Sequence, residues 1–183
     1  MRQIEIFDRP AAYGLVTRLL HWSIAGLILW QFTGMILRGI LGRHPVSGFF
    51  VGLHQPIGAL LFVMILARIL WALVNRRRRP PHGAGLIGLA ARLGHFALYA
   101  VMLVVPLSAL LRAFGQERAF APFGITVFPA RDEPVAWMVT LGDALHGEVA
   151  WLLLALILGH VAMVIVHEWL WRDRTLARMA GRG

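Results

Sequence analysis

Four long apolar stretches, roughly 15–37, 49–74, 89–111 and 145–170, limit this chain more than any other feature. Each reaches or exceeds the ~20 residues a helix needs to cross ~30 Å of hydrocarbon. Composition agrees: 58% of the 183 residues are hydrophobic and 15% are charged, where soluble domains carry about 25% charged residues. The expected fold is all-α, an integral membrane four-helix bundle forming one transmembrane domain over residues 1–183. Pro56 and Pro106 fall inside spans, which bilayer helices tolerate. Gly48 and Gly52 make a small-xxx-small step expected to allow close helix packing. The first stretch is too long for a signal-peptide core and no small-residue cleavage site follows it.

The 18 basic residues are all arginine, against 9 acids. They flank the apolar blocks, so they orient a membrane protein rather than form a nucleic-acid face, and no nucleic-acid partner is expected. With both termini cytoplasmic, the inner side carries Arg2, Arg9, Arg18, the Arg76–Arg79 run, Arg92, Arg172, Arg174, Arg178 and Arg182. The outer side carries Arg38, Arg43, Arg112, Arg118 and Arg131. Twelve against five is a positive-inside pattern. The Arg76–Arg79 run can engage acidic lipid in addition. The connection over about 113–144 is long and holds Pro122, Pro129 and Pro134 among Phe120, Phe123 and Phe128. It is expected to fold over the outer mouth of the bundle.

Eight histidines in so apolar a chain need a reason, because ionisable groups within spans are rare and usually functional. His44 and His82 fall in loops and read as solvated. His146 and His160 are 14 residues apart on the fourth helix. They therefore point within about 40° of each other and lie roughly 21 Å apart. One helix thus offers two imidazoles at opposite depths, which suits two stacked cofactors and not one metal ion. His21 is level with His160 and His54 with His146. The pairs His21/His160 and His54/His146 match imidazole ligation of haem iron on both faces, in a bundle core. The alternative for each histidine is a hydrogen bond to a neighbouring helix. The absence of cysteine excludes thiolate-held clusters and covalent c-type haem.

Three further residues complete the candidate set. Arg68 follows His54 by 14 residues, so it shares that face near the inner level. There it can bind a haem propionate, or snorkel to the inner surface. His167, seven residues past His160, is about 20° off that face. It is a candidate quinone contact or proton donor, the alternative being an interfacial histidine at a helix end. His95 is a second quinone candidate, with a propionate hydrogen bond as its alternative.

The chain resembles the bacterial cytochrome b561 family over nearly its whole length. The resemblance rests on Leu20-His21-Trp22, on His54-x-x-x-Gly58, and on Gly94-His95-x-x-x-Tyr99 followed by Pro106. It continues with His146, His160 and His167, and with the terminal Trp171-x-Asp173-x-Thr175-Leu176-x-Arg178-Met179. It implies a multi-pass protein of the bacterial inner membrane with both termini cytoplasmic. It places His21, His54, His146 and His160 on the ligand positions of two haems b, and implies electron transfer between a donor and ubiquinone.

An oxidoreductase passing electrons from an outer donor, small molecule or protein, to ubiquinone is therefore expected. Superoxide is one donor the resemblance suggests. The alternative is a cytochrome b membrane-anchor subunit that hands electrons from a partner dehydrogenase or hydrogenase to quinone. A haem-free transporter fits poorly, because the spans hold so few carboxylates.

Overall fold

A computed structural model describes residues 5–81, 83–173 and 175–181. His82, Arg2, Arg174 and Arg182, read above from the sequence, lie outside the described residues. The chain is helical: α1 Leu15–Leu41, α2 Pro45–Val74, α3 Gly85–Gly115, α4 Ala136–Ile165 and the short α5 Thr175–Ala180. A 3-10 turn occupies Pro122–Gly124, and α4 runs on into a π-helical segment, Val166–Trp171. The four long helices, counting α4 with its extension, have 27, 30, 31 and 36 residues and are apolar enough to cross a membrane.

These helices outrun the apolar stretches read from the sequence, most of all α4, which begins at Ala136 instead of near 145. Hydropathy marks only the length inside hydrocarbon, whereas backbone hydrogen bonding carries a helix on through the headgroup layer. Their outward faces are apolar and uncovered within the chain; Leu29, Val63, Leu70 and Leu158 are between 62% and 68% exposed. Facing lipid satisfies such surfaces.

Short, well-capped connections make α1/α2 one antiparallel hairpin. Gly42, at φ 62°, ends α1 with its N–H donating to the Arg38 carbonyl at 3.1 Å, a positive-φ stop that glycine adopts without a Cβ penalty. Pro45 then starts α2, where a missing N–H does no harm. His44 is not simply solvated: its Nδ1 accepts from the Val46 N–H at 3.2 Å while Ser47 Oγ accepts from the His44 N–H. The second hairpin, α3/α4, is joined by 116–135, whose 3-10 turn reaches across to α2. Within that connection Phe120 and Phe128 bridge, and Arg131 donates to the Phe114 carbonyl at 2.8 Å with its guanidinium over the Phe114 ring.

Close approach between helices falls at other glycines than expected. A Cβ on Gly48 or Gly52 would meet nothing within 4 Å. On Gly142 it would come within 2.6–2.8 Å of Arg112 Cβ, the Ser108 carbonyl and the Arg112 nitrogen, and on Gly34 it would reach Phe50 Cβ at 2.7 Å. Spacing in one helix shows that a small residue is present; which side it faces depends on how two helices are rotated against each other. The buried core is Ile24, Ile28, Leu61 and Ile65, ringed by Leu27, Ile57, Met102 and Ile157. In sequence it lies between His21 and Gln31 on α1, and between His54 and Arg68 on α2.

The end of the bundle that carries both chain termini is closed by a polar knot. Asp8 is 1% exposed and Asn75 is 0%. Asp8 accepts from the Gly14 N–H at 2.8 Å and from Arg79 Nε at 3.2 Å, and its own N–H donates to Asn75 Oδ1 at 3.1 Å. The chain crosses so near Gly14 that a Cβ there would collide with Ile6 and Phe7 backbone atoms. Phe7 stacks on Trp71 at 5.3 Å. α5 docks alongside, the Met179 carbonyl accepting from Trp22 Nε1 at 3.2 Å.

Candidate functional site

The histidines on different helices meet at two levels. His21 and His160 have ring centres 6.4 Å apart, and His54 and His146 have ring centres 5.9 Å apart. All four are partly buried. The 14-residue spacing on α4 separates the two levels by roughly 21 Å, with the apolar core between them. Two imidazoles bound through nitrogen to opposite faces of one iron, at bonds of about 2 Å, have ring centres about 6 Å apart. Both pairs are therefore spaced as a haem would need.

Local bonding supports the fit. His146 Nδ1 lies 2.9 Å from the Val105 carbonyl. A carbonyl only accepts, so Nδ1 carries the proton and Nε2 keeps its lone pair. A metal-binding imidazole usually has its second nitrogen donating in this way. On α2, the Gln31 amide donates to the His54 carbonyl at 2.9 Å, and a Cβ on Gly58 would come within 3.3 Å of that amide nitrogen. The glycine in His54-x-x-x-Gly58 thus makes room for a contact that ties α1 to the His54 turn. Gln31 was not singled out from the sequence, because it sits in a polar gap that only the α1/α2 pairing creates.

At the terminal level His160 has two imidazole neighbours. His95 stands 5.5 Å from it, closer than His21. Its Nδ1 lies 2.6 Å from the Ala91 carbonyl one turn back on α3. Arg68 reaches this level as well, with Nη1 3.5 Å from the Thr17 carbonyl and its guanidinium 5.6 Å from the Tyr99 ring centre. Among the described residues no carboxylate lies within 4 Å of it. A cation placed in a bundle without an acid partner suits a propionate.

His167 lies at the end of α4, inside the π-helical segment. Its Nδ1 is 2.5 Å from Asp173 Oδ2, and Asp173 Oδ1 accepts from Thr175 Oγ1 at 2.7 Å and from the Thr175 N–H at 3.1 Å. Arg172, left-handed at φ 53°, turns the chain back so that Asp173 can reach. Partial burial pushes the Asp173 carboxyl up, but the bonds from Thr175 and His167 outweigh it and hold the carboxyl below its usual range. Asp173 belongs to the terminal motif, but its pairing with His167 is not legible in sequence: a six-residue separation puts no helical face in common, and only the turn at Arg172 joins the two.

Comparison with known proteins gives a consistent result. The family model described as prokaryotic cytochrome b561 matches residues 12–182. The chain is 29% identical over 183 aligned residues to cytochrome b561 homolog 2 of Escherichia coli strain K12, covering 96% of this chain and 94% of that protein. It is 23% identical over 164 residues to the probable superoxide oxidase CybB of Yersinia pestis, covering 87% and 90%. With four membrane-length helices and a family match running through all of them, the chain belongs to the prokaryotic cytochrome b561 family, membrane electron-transfer proteins that normally bind haem b.

Proposed function

We propose that this chain binds two haems b, one between His54 and His146 and one between His21 and His160, and carries electrons from a donor at the outer surface to ubiquinone. One observation carries this reading: two histidine pairs at 5.9 and 6.4 Å, set apart by the 14-residue spacing on α4. Haem b supplies one-electron redox chemistry there, and two stations shorten the distance across a layer closed to free charge. The four histidines would hold the iron, the apolar core between the levels would exclude water, and Arg68 would be available to a propionate. His21 is taken as the second ligand because depth along the spans and the family resemblance pair it with His160, although His95 stands at a comparable 5.5 Å. His95 is then left to contact a propionate or quinone.

The end with the termini is cytoplasmic in this reading, which the arginine asymmetry supports, and the membrane is the bacterial inner membrane. The quinone site lies at that end, beside His167. An Nδ1–H donated to Asp173 leaves Nε2 to take up and give back the exchangeable proton, and the carboxylate stabilises the imidazolium. Ubiquinone reduction consumes two electrons and two protons. With superoxide as donor, two superoxide ions each lose one electron and leave as dioxygen. The likeness to a probable superoxide oxidase of Yersinia pestis supports that donor, while the outer arginines, set against Glu117, Asp132, Glu133 and Asp143, leave that side only weakly positive. Arg112 is paired there with Asp143 at 2.6 Å, so Arg43 and Arg118 are the better candidates for steering.

The test is a reduced-minus-oxidised visible spectrum of detergent-purified protein with a pyridine haemochrome assay. Two low-spin b haems per chain are expected; a colourless protein made with ample haem refutes the reading. Superoxide-driven quinone reduction by the purified chain alone separates a self-sufficient oxidoreductase from an anchor subunit that needs a partner dehydrogenase or hydrogenase.

A further inference from the structure

At the terminal end an open cleft of about 680 Å³ lies between the chain segment before α1 and the arginine run after α2. Its walls are Glu5 to Pro10 on one side and Arg77 and Arg78 on the other. Both acids in it are already answered from within: Glu5 pairs with Arg9, and Asp8 pairs with Arg79 at 3.2 Å. Three arginines, Arg9, Arg77 and Arg78, therefore line the cleft against two carboxylates that are both already paired. Arg77 has no carboxylate within 4 Å among the described residues, and Arg78 lies over the Phe7 ring at 4.9 Å.

The same wall is apolar where it faces outward. Ile6 is 53% exposed and Phe7, one side of which stacks on Trp71, 44%, in a segment pinned by the Asp8 bonds. Guanidinium groups beside uncovered apolar side chains, at the end of a membrane-crossing helix, match the two halves of a phospholipid: an anionic headgroup and the start of its acyl chains. Water satisfies only the first half of such a surface, and a soluble anion engages only the arginines.

We propose that this cleft is a binding site for one anionic phospholipid, its phosphate held by Arg77 and Arg78 and its glycerol and upper acyl carbons resting on Ile6 and Phe7. The lipid thereby bridges the segment before α1 to the end of α2, beside the Asp8–Asn75 contact that joins the same two elements. The proposal needs no haem, so its failure and that of the electron-transfer reading are separable.

The experiment is native mass spectrometry of delipidated protein in detergent. Phosphatidylglycerol, phosphatidylcholine with the same acyl chains, and inorganic phosphate are titrated separately and in competition. One phosphatidylglycerol per chain is expected, preferred over phosphatidylcholine by about tenfold and not displaced by millimolar phosphate. Arg77→Gln, at an exposed position, and the Arg77→Gln/Arg78→Gln pair should remove that preference. Arg38→Gln/Arg43→Gln at the other end should keep it, and gel filtration reports whether each variant stays folded. Equal binding of the two lipids overturns the proposal, as does equal loss in both arginine pairs. Displacement by phosphate alone makes the cleft a free-anion site and overturns the lipid assignment.

Discussion

Gly142→Ala tests the coupling between helix packing and the His54/His146 pair. The new Cβ would lie 2.6 Å from Arg112 Cβ, 2.7 Å from the Ser108 carbonyl oxygen and 2.8 Å from the Arg112 nitrogen. Two of these are backbone atoms of α3, which cannot swing aside, so α4 must move away by roughly 0.7 Å to reach ordinary contact. Such overpacking costs roughly 1–3 kcal/mol. His146 is one turn further along the same face, and its 2.9 Å bond to the Val105 carbonyl would stretch beyond useful hydrogen-bond length. That loss adds about 0.5–1.5 kcal/mol, while replacing glycine in a helix returns about 1 kcal/mol. The net expectation is a destabilisation of roughly 0.5–3.5 kcal/mol, and under the proposed ligation a haem between His54 and His146 would be lost first. The assay is a denaturing-detergent titration followed by far-UV circular dichroism, with haem content read in parallel. Gly48→Ala, where a Cβ meets nothing within 4 Å, is the control and should be neutral or slightly stabilising. If Gly142→Ala matched the wild type in both readouts, the α3/α4 contact would not be what positions His146.

Other perturbations address the remaining parts. His54→Ala or His146→Ala should leave one haem per chain by pyridine haemochrome, and His21→Ala with His54→Ala should leave none. Arg68→Gln should lower the midpoint potential of the terminal-level haem in a redox titration, because a nearby cation favours the reduced, more negative form; an unchanged potential would place Arg68 away from the cofactor. Asp8→Ala leaves the Gly14 N–H and Arg79 without their acceptor, at a cost of about 1–3 kcal/mol, and should appear as faster amide exchange in the segment before α1. Because Asp173 has its pKa lowered in the folded chain, its contribution is present above the unfolded value of about 4 and lost as pH falls through the lower folded value. Limited proteolysis should therefore release α5 from the wild type only below about pH 4, and from Asp173→Asn already at pH 7.

Sequence alone determined the elements that depend on local physics. Hydrocarbon thickness and backbone hydrogen bonding turn each long apolar stretch into a spanning helix whatever its neighbours do, so all four were legible. Periodicity put His146 and His160 on one face, and depth along the spans matched His21 to His160 and His54 to His146, now found as neighbours. Tertiary structure alone decided what needs two elements at once. Gly142 and Gly34 are close contacts while Gly48 and Gly52 are open, because helix rotation and crossing, not spacing, choose the facing side. His95 joins His160, and Asp8 meets Asn75 across 67 residues, since burying a carboxylate depends on partners that arrive from elsewhere in the chain. A helix can be read from the free energy of its own residues in lipid; a contact between helices is set by steric fit and hydrogen-bond completion, which exist only once both surfaces are in place.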